Sequence, residues 1–271
     1  MPSAAEPTPV ELYCIDSGED DGSELPLVVI HGLLGSADNW RSHLRDWRRG
    51  RRVIAVDLRN HGRSPHADGM DYTAMSDDVL ALLDRLSLER AHVLGHSMGG
   101  KVAMSLACRK PQRVASLIVA DIAPVAYRHG HDDIFAAMRE LEQGRPADRR
   151  EADALLARHI DSRPIRLFLA TNLQRAEGEM TLRIGLDRII AGYPDIIAPP
   201  TGESAFDGPA MVLRGAESDY VQDAMLPRLR EVLPKARVVT LKGAGHWLHA
   251  EQPQAFQQAV NTFLAAHPHG R

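Results

Sequence analysis

Two apolar patterns alternate along this chain. The first is a short unbroken run rich in β-branched residues. It occurs at 25–30 (LPLVVI), 52–58 (RVIAVDL), 91–95 (AHVLG) and 114–121 (VASLIVAD). Runs this short, closed by glycine, histidine or aspartate, predict strands buried on both faces. The second pattern has a helical period. Met75, Val79, Leu82, Leu83 and Leu86 share one helix face, with Thr73 as the expected N-cap and Asp77 and Asp78 suited to the early turns. Residues 98–110 predict a further helix, stopped by Pro111. Buried strands alternating with helices imply βαβ units and a mostly parallel sheet.

The alternation stops after Asp121. From 125 to 205 the spacing predicts helices and no strand, with Ile134, Met138 and Leu141 on one helix, 155–160 in a second and 184–190 in a third. Strand-like runs return at 210–214 and 237–241, and a helix over 254–265 closes the chain. Residues 1–124 and 206–271 therefore read as two parts of one α/β core. Residues 125–205 read as a helical cap over the carboxyl edge of the sheet. Residues 1–9, with three prolines, read as a loose lead-in, and 17–24 (SGEDDGSE) as a turn between strands.

Composition narrows the function. The chain has 271 residues, is 44% hydrophobic and carries a formal net charge of -4. That charge gives no global field favouring nucleic acid. Two cysteines, Cys14 and Cys108, are too few for a disulfide framework or a cysteine zinc cluster. No apolar run reaches the roughly 20 residues of a bilayer span, and the N-terminal stretch lacks the pattern of a signal peptide. The expected setting is cytoplasmic. No metal-protease, Walker or dinucleotide motif is present, so no metal, nucleotide or redox cofactor is expected.

The sharpest chemical signal is Gly95-His96-Ser97-Met98-Gly99, a G-x-S-x-G motif. The bare pattern arises by chance in roughly one chain in ten of this length. Here it follows a predicted strand and opens a predicted helix, the context in which a nucleophilic serine is held on a strained turn. An oxyanion formed at such a serine needs two preplaced N–H donors. Met98, next to the nucleophile, supplies one, and Leu33 in His31-Gly32-Leu33-Leu34-Gly35 is expected to supply the other. The general base has to come late in the chain, in the order Ser, acid, His. His246, in Gly243-Ala244-Gly245-His246-Trp247, directly follows the last predicted strand. Of the other histidines, His249 is expected to pack or cap, His96 to point away from the serine, and His31 and His61 to stabilise loops.

Two aspartates compete as the acid. Asp121 ends the strand after the nucleophile helix, while Asp219 follows the next strand. The third position after Gly215, a common place for the acid, holds Ser218, and Asp219 lies one further on. A one-residue shift on a turn redirects the side chain, so Asp121 is favoured.

These stretches resemble the α/β-hydrolase superfamily, and more narrowly the YbfF-type bacterial esterases. The matching segments are HGLLGSADNW at 31–40, VDLRNHGRSP at 56–65, GHSMGGK at 95–101, DIAPV at 121–125, HDDIFAAM at 131–138, RGAESDYV at 214–221 and GAGHWLHAEQP at 243–253. The resemblance implies an eight-stranded, mostly parallel sheet with helices on both faces and a small helical cap. It implies hydrolysis of short- to medium-chain acyl esters, small molecules, through Ser97, His246 and Asp121. It also implies that Ser218 hydrogen-bonds near His246, and that the cap shapes the acyl pocket. Thioester or carbon–carbon bond hydrolysis on the same three residues, and a non-catalytic ligand receptor, are the alternatives. Six arginines within 41–52 read as a solvated helix face, or else as a docking patch for an anionic substrate.

Overall fold

The computed structural model describes residues 8–18, 24–176, 178–202 and 204–269. Most of the predicted lead-in, and the centre of the turn predicted at 17–24, lie outside these residues. Among the described residues nine strands run in chain order as β1 (Cys14–Asp16), β2 (Leu27–Ile30), β3 (Val53–Val56), β4 (Ala91–His96), β5 (Val114–Ala120), β6 (Leu173–Ala176), β7 (Glu179–Leu182), β8 (Ala210–Gly215) and β9 (Ala236–Leu241). Seven of them form the main sheet, in the order β1-β3-β2-β4-β5-β8-β9. Within that sheet, among the described residues, only β1 is antiparallel to its neighbour.

Alternation along each strand builds two cores. In β2, Val28 and Ile30 face one side, and Leu27 and Val29 face the other. Helices α2 (Tyr72–Arg85) and α3 (Met98–Arg109) cover the first side through Met75, Val79, Leu82, Val102 and Leu106. The second side is covered by α1 (Arg41–Trp47) and by a helix over Pro253–Ala266, through Leu44, Trp47, Phe256, Val260 and Phe263. Full burial of one such side chain contributes about 1.5–3 kcal/mol. This layering explains why the strand runs are apolar on both faces while each helix is apolar on one.

Between β5 and β8 lie α4 (Asp132–Gly144), α5 (Arg149–Leu156), α6 (Arg163–Leu169), α7 (Leu186–Ala191) and α8 (Tyr193–Ile197). Their apolar residues, including Phe135, Leu156 and Ile189, join the same core as the sheet residues of the α2–α3 side. Polar ties fasten this segment to the loops that follow β2 and β3 and to the start of α2. Asn172 donates to the Leu34 carbonyl at 2.8 Å, Tyr72 to Ile196 at 2.5 Å, and the Gly185 N–H to Asn60 at 2.9 Å.

The structure differs from expectation in four places. The helix expected at 155–160 lies earlier, at Arg149–Leu156, and 157–159 form a turn. β6 and β7 pair as a hairpin inside the segment expected to be wholly helical. Each strand is four residues long, and Gly178 between them has φ 88°, the turn geometry that allows the reversal. The N-cap of α2 is Asp71, whose carboxylate accepts from the Ala74 N–H, and Thr73 sits inside the first turn. Tyr72 is buried, so the helix begins early enough to place that ring in the core. Finally, the main sheet has seven strands rather than eight among the described residues. Ahead of β1 the Val10 N–H bonds to Asp78 and the Tyr13 N–H to Ser64 Oγ. Side chains take the backbone groups that a further strand would use.

The remaining helices are α9 (Leu226–Val232), α10 (Leu248–Glu251) and α11 (Pro253–Ala266). Among the described residues, Arg41 pairs with Asp38, Arg49 with Asp46, Arg51 with Glu24 and Arg52 with Asp16. No helix among the described residues is long and apolar enough to cross a membrane.

Candidate active site

Ser97 stands between β4 and α3 with φ 52° and ψ −122°, a strained conformation for a residue with a side chain. The turn is too tight for side chains at its glycines. A Cβ at Gly95 would fall into the backbone of Gly99, and one at Gly99 into the carbonyls that end β2. The serine is held by its own backbone, its N–H donating to the Ala120 carbonyl at 2.9 Å and its carbonyl accepting from Gly100 at 2.8 Å.

His246 lies on the loop between β9 and α10. Its Nε2 is 3.0 Å from Ser97 Oγ, and its Nδ1 is 2.8 Å from Asp121 Oδ2. A carboxylate can only accept, so Nδ1 carries the proton and Nε2 is left to accept from the serine hydroxyl. Asp121 is fully buried at the end of β5, with φ 54°. Its Oδ1 accepts from the Gly215 N–H at 3.0 Å, and its Oδ2 also accepts from the Ser218 hydroxyl. The carboxylate is therefore fixed by three donors, His246 among them. The structure brings Asp121, not Asp219, to the imidazole. Asp219 is exposed on the same loop as Ser218, so the one-residue shift does redirect its side chain.

Leu33 and Met98 both line the cleft beside Ser97. Among the described residues, neither backbone N–H has an acceptor within the protein. Neighbouring residues hold the Leu33 loop in shape. His31 Nε2 accepts from the Leu58 N–H at 3.0 Å, and His61 Nε2 accepts from the Leu34 N–H at 3.1 Å. Both rings are buried, and desolvation lowers His31 to about 4 and His61 to about 3. They are neutral loop-builders. Asp57, also buried, accepts from the Ala37 and Arg63 N–H groups and braces the same region.

His96 turns away from the serine and its Nε2 meets the His246 carbonyl at 2.8 Å, bracing the loop that carries His246. His249 is stacked on Trp40 with ring centroids 4.6 Å apart. Burial lowers its pKa to about 3, with further contributions from His43 and His246.

Two residues of the site are not evident from motif reading. The Tyr220 ring stacks on the His246 imidazole, and the Tyr220 N–H donates to Ser218 Oγ at 3.2 Å. Lys101, one turn along α3, is almost wholly buried. Its amine donates to the Ala198 carbonyl at 2.5 Å and lies 4.7 Å from the Tyr127 ring centre. Desolvation lowers its pKa to about 7. The sequence hint was the lysine at an apolar helix position in GHSMGGK.

The cleft above Ser97 has two lobes. One, about 230 Å³, is lined by Trp40, Ile134, Ile165, Phe168, His246 and Trp247. The other, about 660 Å³, is lined by Tyr72, Met98, Lys101, Tyr193, Ile197 and Met225. Ser97, Leu33, His131 and Tyr220 border both. None of the six arginines of 41–52 lines either lobe. The arrangement has the parts of acyl transfer, namely a hydroxyl on a basic nitrogen, a carboxylate behind it and free N–H groups beside it.

Residues 26–253 match the α/β hydrolase fold family. The sn-1-specific diacylglycerol lipase ABHD11 of Mus musculus is 40% identical over 255 residues, covering 91% of this chain and 83% of that protein. Esterase YbfF of Escherichia coli (strain K12) is 34% identical over 249 residues, covering 92% of this chain and 96% of that protein. Among solved structures, a marine microorganism esterase superposes with a TM-score of 0.90 at 40% identity, covering 94% of this chain and 100% of that one.

Proposed function

This chain belongs to the α/β-hydrolase fold family, with its YbfF-type esterases, and from that premise we propose that it is a serine carboxylesterase acting on short- to medium-chain acyl esters. It is a carboxylic ester hydrolase of the esterase and lipase kind. What supports the finer reading is the continuous line from Ser97 Oγ through His246 to Asp121, with spacings of 3.0 and 2.8 Å.

In this reading His246 Nε2 takes the proton from Ser97 as Oγ attacks the ester carbonyl. The Leu33 and Met98 N–H groups receive the oxyanion, each worth about 3–4 kcal/mol to the transition state. The protonated imidazole then passes its proton to the departing alcohol oxygen, leaving the acyl group on Ser97. Water, deprotonated by His246, attacks the acyl carbon, and the serine leaves with the proton returned. Asp121 keeps the imidazole oriented and stabilises its charged form, and Ser218 steadies Asp121. Residues 125–205 act as the cap that closes the cleft over Ser97.

The test is hydrolysis of p-nitrophenyl butyrate by the wild type and by Ser97→Ala. Turnover lost in the variant supports the reading. Turnover that survives in Ser97→Ala rules out the nucleophile, and no turnover by either protein favours a thioester or diketone substrate.

A further inference from the structure

The two lobes that meet at Ser97 are unequal, and the imidazole borders only one of them. His246 and Trp247 line the lobe of about 230 Å³. The lobe of about 660 Å³ is lined instead by Met98, Tyr72, Ile197 and Met225. This asymmetry bears on how an ester would lie. The nitrogen that deprotonates the nucleophile must later protonate the leaving oxygen, so that oxygen has to lie within hydrogen-bond reach of Nε2. The leaving group therefore occupies the side lined by the imidazole. The acyl substituent, on the same tetrahedral carbon with the oxyanion turned to Leu33 and Met98, points into the other lobe.

We propose, resting on Ser97 as nucleophile and His246 as base, that the larger lobe holds the acyl chain and the smaller lobe the alcohol. The substrate class is then an ester with a medium-length hydrocarbon acyl chain and a compact alcohol. The acyl lobe suits hydrocarbon because its buried cation is already occupied. Lys101 Nζ is held by the Ile197 and Ala198 carbonyls, at 3.3 and 2.5 Å, and lies over Tyr127. Tyr72, Tyr193, Ile196 and Met225 supply its apolar wall, and the charged and polar residues that also line it, Arg128, His129, Asp219 and Gln222, are exposed. The cap is divided by this assignment. Ile165 and Phe168 of α6 limit the alcohol, while Ile197 at the end of α8 limits the acyl chain together with Met225 from the core.

The test compares two substrate series, p-nitrophenyl esters from acetate to dodecanoate and butyrate esters of methyl to benzyl alcohol. Met225→Trp is expected to lower kcat/KM for octanoate relative to acetate by about tenfold, with the benzyl-to-methyl ratio nearly unchanged. Phe168→Ala is expected to raise the benzyl-to-methyl ratio by about tenfold, with the acyl profile nearly unchanged. Should Met225→Trp fail to fold, Met225→Ala should move the acyl optimum to longer chains. The crossed pattern, or no change in either ratio, overturns the assignment. Turnover surviving in Ser97→Ala overturns the underlying nucleophile instead, so the two failures are distinguishable.

Discussion

The phenol ring of Tyr220 lies flat on the His246 imidazole, with ring centroids 3.8 Å apart and planes 18° from parallel. The stack restricts rotation of the imidazole about its own bond to the chain, the motion that would break its line to Ser97. The Tyr220 backbone meanwhile bonds to Ser218, which bonds to Asp121. One loop thus holds the imidazole from its face and its carboxylate partner from behind.

Removing that ring should therefore misplace His246 while leaving Ser97, His246 and Asp121, the proposed reacting groups, in the chain. Tyr220→Ala is expected to lower kcat by about ten- to a hundredfold, the cost of a misplaced catalytic group. Tyr220→Phe, which keeps the stack, should stay near wild type. Steady-state kinetics on p-nitrophenyl butyrate separates the two, and equal losses in both variants would contradict the stacking role.

The choice of acid predicts a sharp contrast. Asp121 is buried against His246, whereas Asp219 is exposed. Asp121→Asn should reduce kcat by about 10⁴, because the amide favours the wrong imidazole tautomer. Asp219→Asn should retain most activity. Comparable losses in the two variants would mean the acid had been assigned wrongly.

Gly95 faces the backbone of Gly99 across the turn, with no room for a methyl group. Backbone cannot swing aside as a flexible side chain can. Gly95→Ala should cost at least about 1–3 kcal/mol, seen as a lowered Tm or loss of folded protein. An alanine variant with wild-type Tm would refute the close approach.

Buried histidines are expected to make the fold acid-sensitive. Burial lowers His249 to about 3, against an ordinary value of 6.5. Between those values the unfolded chain holds a proton that the native state excludes, so stability falls as pH drops from about 6.5 toward 3. At pH 5 this one residue accounts for about 2 kcal/mol relative to pH 7. Its Nδ1 is buried without a partner among the described residues, so phenylalanine costs no hydrogen bond there. His249→Phe should lose less stability than wild type between pH 7 and pH 5 in urea titrations. An unchanged difference would show that His249 does not contribute.

Local chemistry was enough to read the strand runs, helices α2, α3 and α11, and the serine turn, because each depends on residues within one or two turns of each other. Apolar runs, a helical period and two glycines around a serine carry that information directly. The β6–β7 hairpin is local too, but neither four-residue strand is apolar enough to announce itself. The one-residue offset of Asp219 already favours Asp121, but how Asp121 is enclosed depends on strand order. β5 lies beside β8, so the loop after Gly215 folds over Asp121 and closes it beneath His246. Ser97 and His246 are 149 positions apart, and His246 and Asp121 are 125 apart. Their distances, the Tyr220 stack and the two unequal lobes arise only when the sheet brings distant loops to one edge. Sequence alone pointed to Ser97, His246 and Asp121 as candidates, since side-chain chemistry is intrinsic to the residue. Tertiary structure decided their partners, since a hydrogen bond or a pocket wall belongs to two segments at once.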